Sequence, residues 1–156
     1  ADVTWTKHSR FDKALLVYEN TKGSGASLQG NTTYLTPAWK DTYKLSLGGS
    51  YQYTEPLQLR AGIAYDKSPV PDDNHRLATI PDNDRYWFSL GGKYDLNKQS
   101  SIDFAYSYIH IKDAKANVDG RCTTQGQTTC VSSQTVGTAN YKASAQILGV
   151  QYNHRF

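Results

Sequence analysis

Apolar and polar side chains alternate with a period of two along most of this chain. Counting back from Phe156, every second residue is His154, Tyr152, Val150 and Leu148, while Arg155, Asn153, Gln151 and Gly149 lie between them. A period of two puts one set on each face of a strand, whereas a helix needs a period near 3.6. The same pattern recurs upstream. Tyr43, Leu45, Leu47, Gly49, Tyr51 and Tyr53 oppose Thr42, Lys44, Ser46, Gly48, Ser50 and Gln52. Leu57 to Asp66, Arg85 to Tyr94 and Ile102 to Tyr108 repeat it, the last two with an aromatic-rich apolar face. Two further stretches are weaker. Asp2 to Phe11 carries Val3 and Trp5 on one face and then turns charged, and Ala14 to Asn20 is apolar on both faces. Seven strands are therefore predicted, and the fold class is all-β and antiparallel.

The connections alternate in length. Arg10 to Lys13, Glu55–Pro56 and Leu96 to Ser100 are short; Thr21 to Trp39, Ser68 to Asp84 and Asp113 to Asn140 are long. A β-sandwich has no reason to sort its loops this way, but an outer-membrane barrel does, with short periplasmic turns and long outer loops. On that sorting the last strand descends to the periplasm. The first strand, read as preceding a short turn, also descends, with Ala1 near the outer side. Seven strands with that polarity are about half of a barrel of ~14 strands, since single-chain bacterial barrels have an even number. The rival count is eight, with the extra strand in Ser27 to Leu35.

Bulk composition allows this reading. The mean hydropathy of −0.65 and the lack of any run near ~18 apolar residues exclude a membrane-spanning helix. They do not touch a barrel, whose apolar band is hidden in alternation. Twelve tyrosines and three tryptophans suit interfacial aromatic girdles, though Tyr is also simply a good strand residue. A net charge of +3 without a basic run gives no reason to expect nucleic acid. The chain starts at Ala1 with no Met and no leader, which predicts a processed protein or a fragment. Cys122 and Cys130 lie in a polar, Gly/Thr-rich stretch. They predict a disulfide closing a short loop in an oxidising compartment, with two free thiols as the alternative.

From Trp39 onward the chain resembles the FadL-type transporters of long-chain fatty acids and hydrocarbons in Gram-negative outer membranes. The residues that carry the likeness are WKDTYKLSLGGSYQY (Trp39 to Tyr53), LRAGIAYDKSPVP (Leu59 to Pro71), IPDNDRYWFSLG (Ile80 to Gly91) and GVQYNHRF (Gly149 to Phe156). Val3 to Thr6 and Ser9 to Phe11 are similar to the strand that begins the second half of the family barrel. The resemblance implies the C-terminal part of a transmembrane barrel over residues 1–156, with the plug and N-terminal strands absent. It implies passive inward transport of long-chain fatty acids or other hydrophobic compounds, no enzymatic activity and no cofactor. The partners it implies are those ligands, membrane lipid and lipopolysaccharide, and whatever closes the barrel: the missing N-terminal half or a second copy of the chain. A complete small barrel, structural or lipid-modifying, is the runner-up, and a soluble β-sandwich binding module the third reading. Besides the absent plug and upstream strands, the sequence departs from the family in a missing basic residue, and the Cys122–Cys130 insertion reads as a local elaboration rather than a family motif. The basic residue expected near the ligand carboxylate, late in the loop before Trp39, has no counterpart at Leu35 or Thr36.

Two sets of residues carry candidate chemistry. Asp82, Asp84 and Arg85 share a loop with Asp72, Asp73 and Arg76; an ion-pair network of Asp82, Asp84 and Arg76, or a cation site, would pin that loop over the barrel mouth, stiffened by Pro69, Pro71 and Pro81. The plainer reading is a solvated loop with a turn at Pro81–Asp82. In a barrel the polar strand face points into the lumen, so Arg60, Lys44, Arg85 and Lys93 are the cations that a ligand carboxylate would meet in transit. The plainer reading is that they pair with Asp66, Asp95 and Asp103 across strands. His8, His75, His110 and His154 are scattered, which forms no metal constellation, and no acid is placed with Ser107 and His110 for hydrolysis.

Overall fold

The computed structural model describes residues 1–17, 19, 32–118 and 137–156. It contains eight strands: β1 (Asp2–Thr6), β2 (Ala14–Val17), β3 (Thr32–Leu35), β4 (Thr42–Thr54), β5 (Leu57–Asp66), β6 (Arg85–Asp95), β7 (Ser100–Val118) and β8 (Gly137–His154). Six form one antiparallel sheet in the order β1-β4-β5-β6-β7-β8, and β2 pairs with β3 in a separate hairpin. The seven predicted stretches all overlap strands, and β3 is the eighth, inside the stretch held open for it.

The register keeps one face apolar from edge to edge. Val3 sits opposite Leu45, Leu45 opposite Tyr65, and Tyr65 opposite Tyr86. Further along, Ile63 faces Phe88, Phe88 faces Tyr108, and Tyr106 faces Leu148. With a side-chain period of two, one residue of slip anywhere would move a whole strand's apolar set to the other face. These side chains are exposed, Leu47 by 60%, Leu90 by 64% and Leu148 by 77%. An apolar surface this wide and continuous is what a protein places against another apolar phase. The sheet is open: β1 and β8 are its edges and do not pair with each other.

Three expectations change. First, β1 is antiparallel to β4, Trp5 pairing with Tyr43 and Asp2 with Ser46. It therefore runs toward the long-loop end, not away from it, and Ala1 lies partway along the wall. What reads as a short turn at Arg10 to Lys13 is a 3-10 turn, His8–Arg10, leading into β2. The described residues between β1 and β4 leave and rejoin the wall at its long-loop end, where Ala38 N–H bonds Asp12 O (3.1 Å) and Trp39 N–H bonds Phe11 O (3.4 Å). Second, Ala14 to Val17 belongs to the β2–β3 hairpin, outside the wall, with Leu15, Leu16 and Val17 exposed. Third, both ends of the long connection at Asp113 to Asn140 are strand: β7 continues to Val118 and β8 begins at Gly137. Cys122 and Cys130 lie outside the described residues.

The extension of β7 beyond the wall carries the small buried core. A bulge between Ile111 and Ala114 shifts the pairing. One extra residue there reverses parity, so that Ala114, Ala116 and Val118 share the side of Ile109 and are all buried. Leu77, Ala78 and Tyr141 pack on Ala116 and Val118. The connection from Lys67 to Asp84 thus folds back on the polar side of the sheet at its long-loop end.

Candidate functional site

That connection is fastened by a network of charged groups. Asp84, with its side chain only 10% exposed, accepts from the Tyr65 hydroxyl (3.0 Å), the Lys67 ammonium (3.0 Å) and the Ser68 backbone N–H (3.1 Å). Burial works against its charge, but these donors, Ser68 N–H foremost, hold the carboxyl below the usual carboxylate range. Asp82 accepts from the Ser68 hydroxyl (2.8 Å) and from Arg85 Nε (3.0 Å). Arg85 also reaches Asp66 at 3.2 Å. Arg76 is buried and donates to Asp82 O (2.9 Å), to Asp73 (2.5 Å) and to Lys115 O on the β7 extension. Backbone bonds continue the seam: Lys112 N–H to Asp84 O (2.9 Å) and Asn117 N–H to Asp73 O (2.8 Å). Asp72 accepts from His75 and from two backbone N–H groups. The structure places Asp82, Asp84 and Arg76 in this one network, Arg76 through the Asp82 carbonyl and Asp73 rather than through an ion pair with Asp82 or Asp84, and adds Tyr65, Lys67, Ser68 and the Lys115 carbonyl. Ser68 lies in the Ser-Pro-Val-Pro motif, which was the available signal for it. Lys67 and Lys115 left none.

The four predicted wall cations all lie on the polar face, but with different company. Arg60 reaches past β6 to Asp103 on β7 at 3.2 Å and bonds Gln58 at 2.9 Å. It can do so because Gly91 stands opposite it and has no side chain. A Cβ on Gly91 would come within 2.8 Å of Phe104 O. Lys93 pairs with Asp95 at 2.7 Å, and Arg85 with Asp66 and Asp82. Lys44 instead lies 4.6 Å over the Trp87 ring. Asp66, its neighbour in the register, is occupied by Arg85.

Two cavities adjoin Lys44. One of about 450 Å³ runs along the polar face past Ser46, Gly48, Gly62 and Trp87. The other, about 350 Å³, lies toward the long-loop end between Thr42, Trp39, Ile80 and Arg85. Trp39 is wedged there edge-on to Phe11 and His8, and His8 bonds Thr42 Oγ1 at 2.9 Å. The indole N–H groups of Trp39 and Trp87 are buried and have no hydrogen-bond partner among the described residues. Among the described residues no group of His, Cys, Asp and Glu is arranged to hold a metal ion.

Comparison with known proteins fits this geometry. The family model described as "Outer membrane protein transport protein (OMPP1/FadL/TodX)" matches residues 1–156. The chain is 47% identical over 155 residues to NMB0088 of Neisseria meningitidis serogroup B, covering 99% of this chain and 32% of that one. It is 42% identical over 92 residues to the long-chain fatty acid transport protein of Escherichia coli K12, covering 58% of this chain and 20% of that protein. Its structure superposes on the crystal structure of a Pseudomonas aeruginosa FadL homologue with a TM-score of 0.72, 27% identity, and coverage of 97% of this chain and 31% of the other. The chain thus spans about a third or less of the relatives it matches.

Proposed function

Because the chain belongs to the OMPP1/FadL/TodX family of outer-membrane transport proteins, we propose that it is the C-terminal part of a barrel that carries long-chain fatty acids or other hydrophobic compounds passively inward. The observation that carries this reading is the two-faced, open sheet. One face is apolar and exposed and therefore meets lipid; the other is polar, largely ion-paired, and lines a lumen. In a bilayer an unpaired edge leaves backbone groups without partners, each costing several kcal/mol. The free edges of β1 and β8 therefore pair with further strands. With six strands in the wall, two copies of this segment give too few for a barrel of ~14, so an N-terminal segment is the better closure. The Asp82, Asp84 and Arg76 network pins the 67–84 connection over the mouth, where incoming ligand must pass. The name of the E. coli relative supports a fatty acid as cargo.

The test is uptake. The gene that carries this segment is expressed in a Gram-negative strain lacking its own long-chain fatty acid transporter, with oleate as sole carbon source. Growth, with oleate binding to the purified barrel in detergent, is expected. No growth and no binding by a correctly folded barrel overturns the proposal.

A further inference from the structure

Of the four predicted wall cations, Arg60, Arg85 and Lys93 have carboxylate partners and Lys44 has none among the described residues. Arg60 holds Asp103, Arg85 holds Asp66 and Asp82, and Lys93 holds Asp95. Among the described residues Lys44 has no carboxylate within ion-pair distance, although the register sets Asp66 directly opposite it. Its ammonium rests on the Trp87 face, 4.6 Å from the centroid. A cation–π contact uses the ring's negative face and holds the charge in place, yet leaves N–H donors of the ammonium uncommitted. Lys44 is half-buried, so this charge sits where screening by water is reduced and its pull on an anion is stronger than at an open surface.

The space around it matches one kind of molecule. Lys44 and Thr4 line both cavities described above, the 450 Å³ one along the wall and the 350 Å³ one toward the mouth. The acids nearby are committed: Asp66 and Asp82 to Arg85, and Asp2 to the Thr4 hydroxyl at 2.8 Å. Along the wall, Gly48 and Gly62 face each other with no side chains, which leaves a slot beside Trp87. A point cation that lines two neighbouring spaces, one of them flanked by an indole face and glycines, suits an anionic head with a long apolar tail.

We propose that Lys44 is the residue of this wall that reads the charged head of the cargo, a carboxylate, and so sets a preference for anionic over neutral amphiphiles. This rests on the transport reading above and adds the group that recognises the head. It also separates Lys44 from Arg60, Arg85 and Lys93, whose charges are spent on the wall itself.

Binding of oleate and of oleyl alcohol to the complete barrel, purified in detergent, tests this. The two probes share a tail and differ in the head. Lys44→Gln is expected to weaken oleate binding about tenfold, equivalent to ~1.4 kcal/mol, and to leave oleyl alcohol within twofold. Lys44→Arg, which keeps the charge, should retain most of the oleate affinity and serves as the folding control. If Lys44→Gln leaves oleate binding unchanged, or weakens both probes equally, the assignment of Lys44 is overturned while transport stands. If the unaltered barrel binds neither probe, the transport reading itself fails, and Lys44 with it.

Discussion

Leu47 on the wall and Ala116 on the β7 extension are both apolar strand residues, and they have opposite surroundings. Leu47 is 60% exposed and Ala116 3%. In the wall, backbone ladders join neighbouring strands and the apolar side chains face outward, so stability depends on what surrounds the sheet. Beyond the bulge at Ile111/Ala114 the chain has left that phase. There it behaves as a soluble domain does, burying Ala116 and Val118 under Leu77, Ala78 and Tyr141 and tying charged groups to backbone carbonyls. The wall is specified by alternation, the outer end by tertiary contacts. A charge is ruinous on one and structural in the other.

The largest expected break lies in the wall. Leu47→Arg puts a guanidinium into lipid and should cost ~2–4 kcal/mol near the bilayer midplane. Ser46→Arg, one residue away on the polar face, should cost well under half of that. Equilibrium unfolding of the complete barrel from vesicles measures both. Equal tolerance of the two would mean that the apolar face does not meet lipid.

At the outer end the corresponding break is Arg76→Ala. It leaves Asp82 O and Lys115 O without their buried donor and Asp73 without its partner. Losing such a buried, charge-assisted set costs about 2–3 kcal/mol. The loss should stay local: amide exchange of residues 67–84 and 114–118 should speed up, while that of β4 and β5 stays as in the parent. Uniform loosening of the whole sheet would show that wall and outer end are one cooperative unit.

How much of this was legible follows the same division. The predicted stretches at β4, β5 and β6 agree with the structure to within one residue, because alternation is a local signal and nothing interrupts it. At β7 the sequence places Lys112 and Asp113 side by side, which breaks the period, and the stretch reads as loop. The bulge absorbs the break and the strand goes on to Val118. The direction of β1 was not legible either, since Arg10 to Lys13 looks like a turn until the pairing of β2 with β3 is known. The site divides likewise. Alternation puts Lys44, Arg60, Arg85 and Lys93 on the polar face, but which of them is neutralised depends on cross-strand neighbours. Arg60 finds its partner two strands away, and no spacing in the sequence encodes that.

A smaller effect sharpens the comparison within the wall. Gly91→Ala sets a methyl group 2.8 Å from the Phe104 carbonyl, in the gap between β6 and β7, and strains that pair by ~1–3 kcal/mol. Gly49→Ala, with nothing within 4 Å of its Cβ, should be neutral or slightly stabilising, since Gly weakens a strand. If unfolding midpoints of the two variants coincide, close approach of β6 and β7 is not what holds Gly91.

The smallest effect is set by pH and belongs to the outer end alone. Asp84 has its carboxyl held below the ordinary value of 3.8, burial opposing its charge and Ser68 N–H, Lys67 and Tyr65 more than compensating. A depressed folded-state value means that the unfolded loop binds protons more readily than the folded one. The stabilisation is therefore complete above 3.8 and fades as pH falls through the lower folded value. Asp72 shifts in the same direction, so the two add. Protease cleavage within residues 67–84 of the folded barrel should be flat from neutral pH down to about 4, and amide exchange there should rise at more acid pH. Asp84→Asn removes the group that titrates. It should loosen the connection already at neutral pH, where Lys67 loses its counter-charge, and flatten part of the acid response. The wall strands should respond less, because continuous backbone ladders hold them along their length, although their polar face carries Asp66 and Asp103 in ion pairs. An acid response in β4 and β5 equal to that of the 67–84 connection would mean that the charges of the outer end also hold the wall.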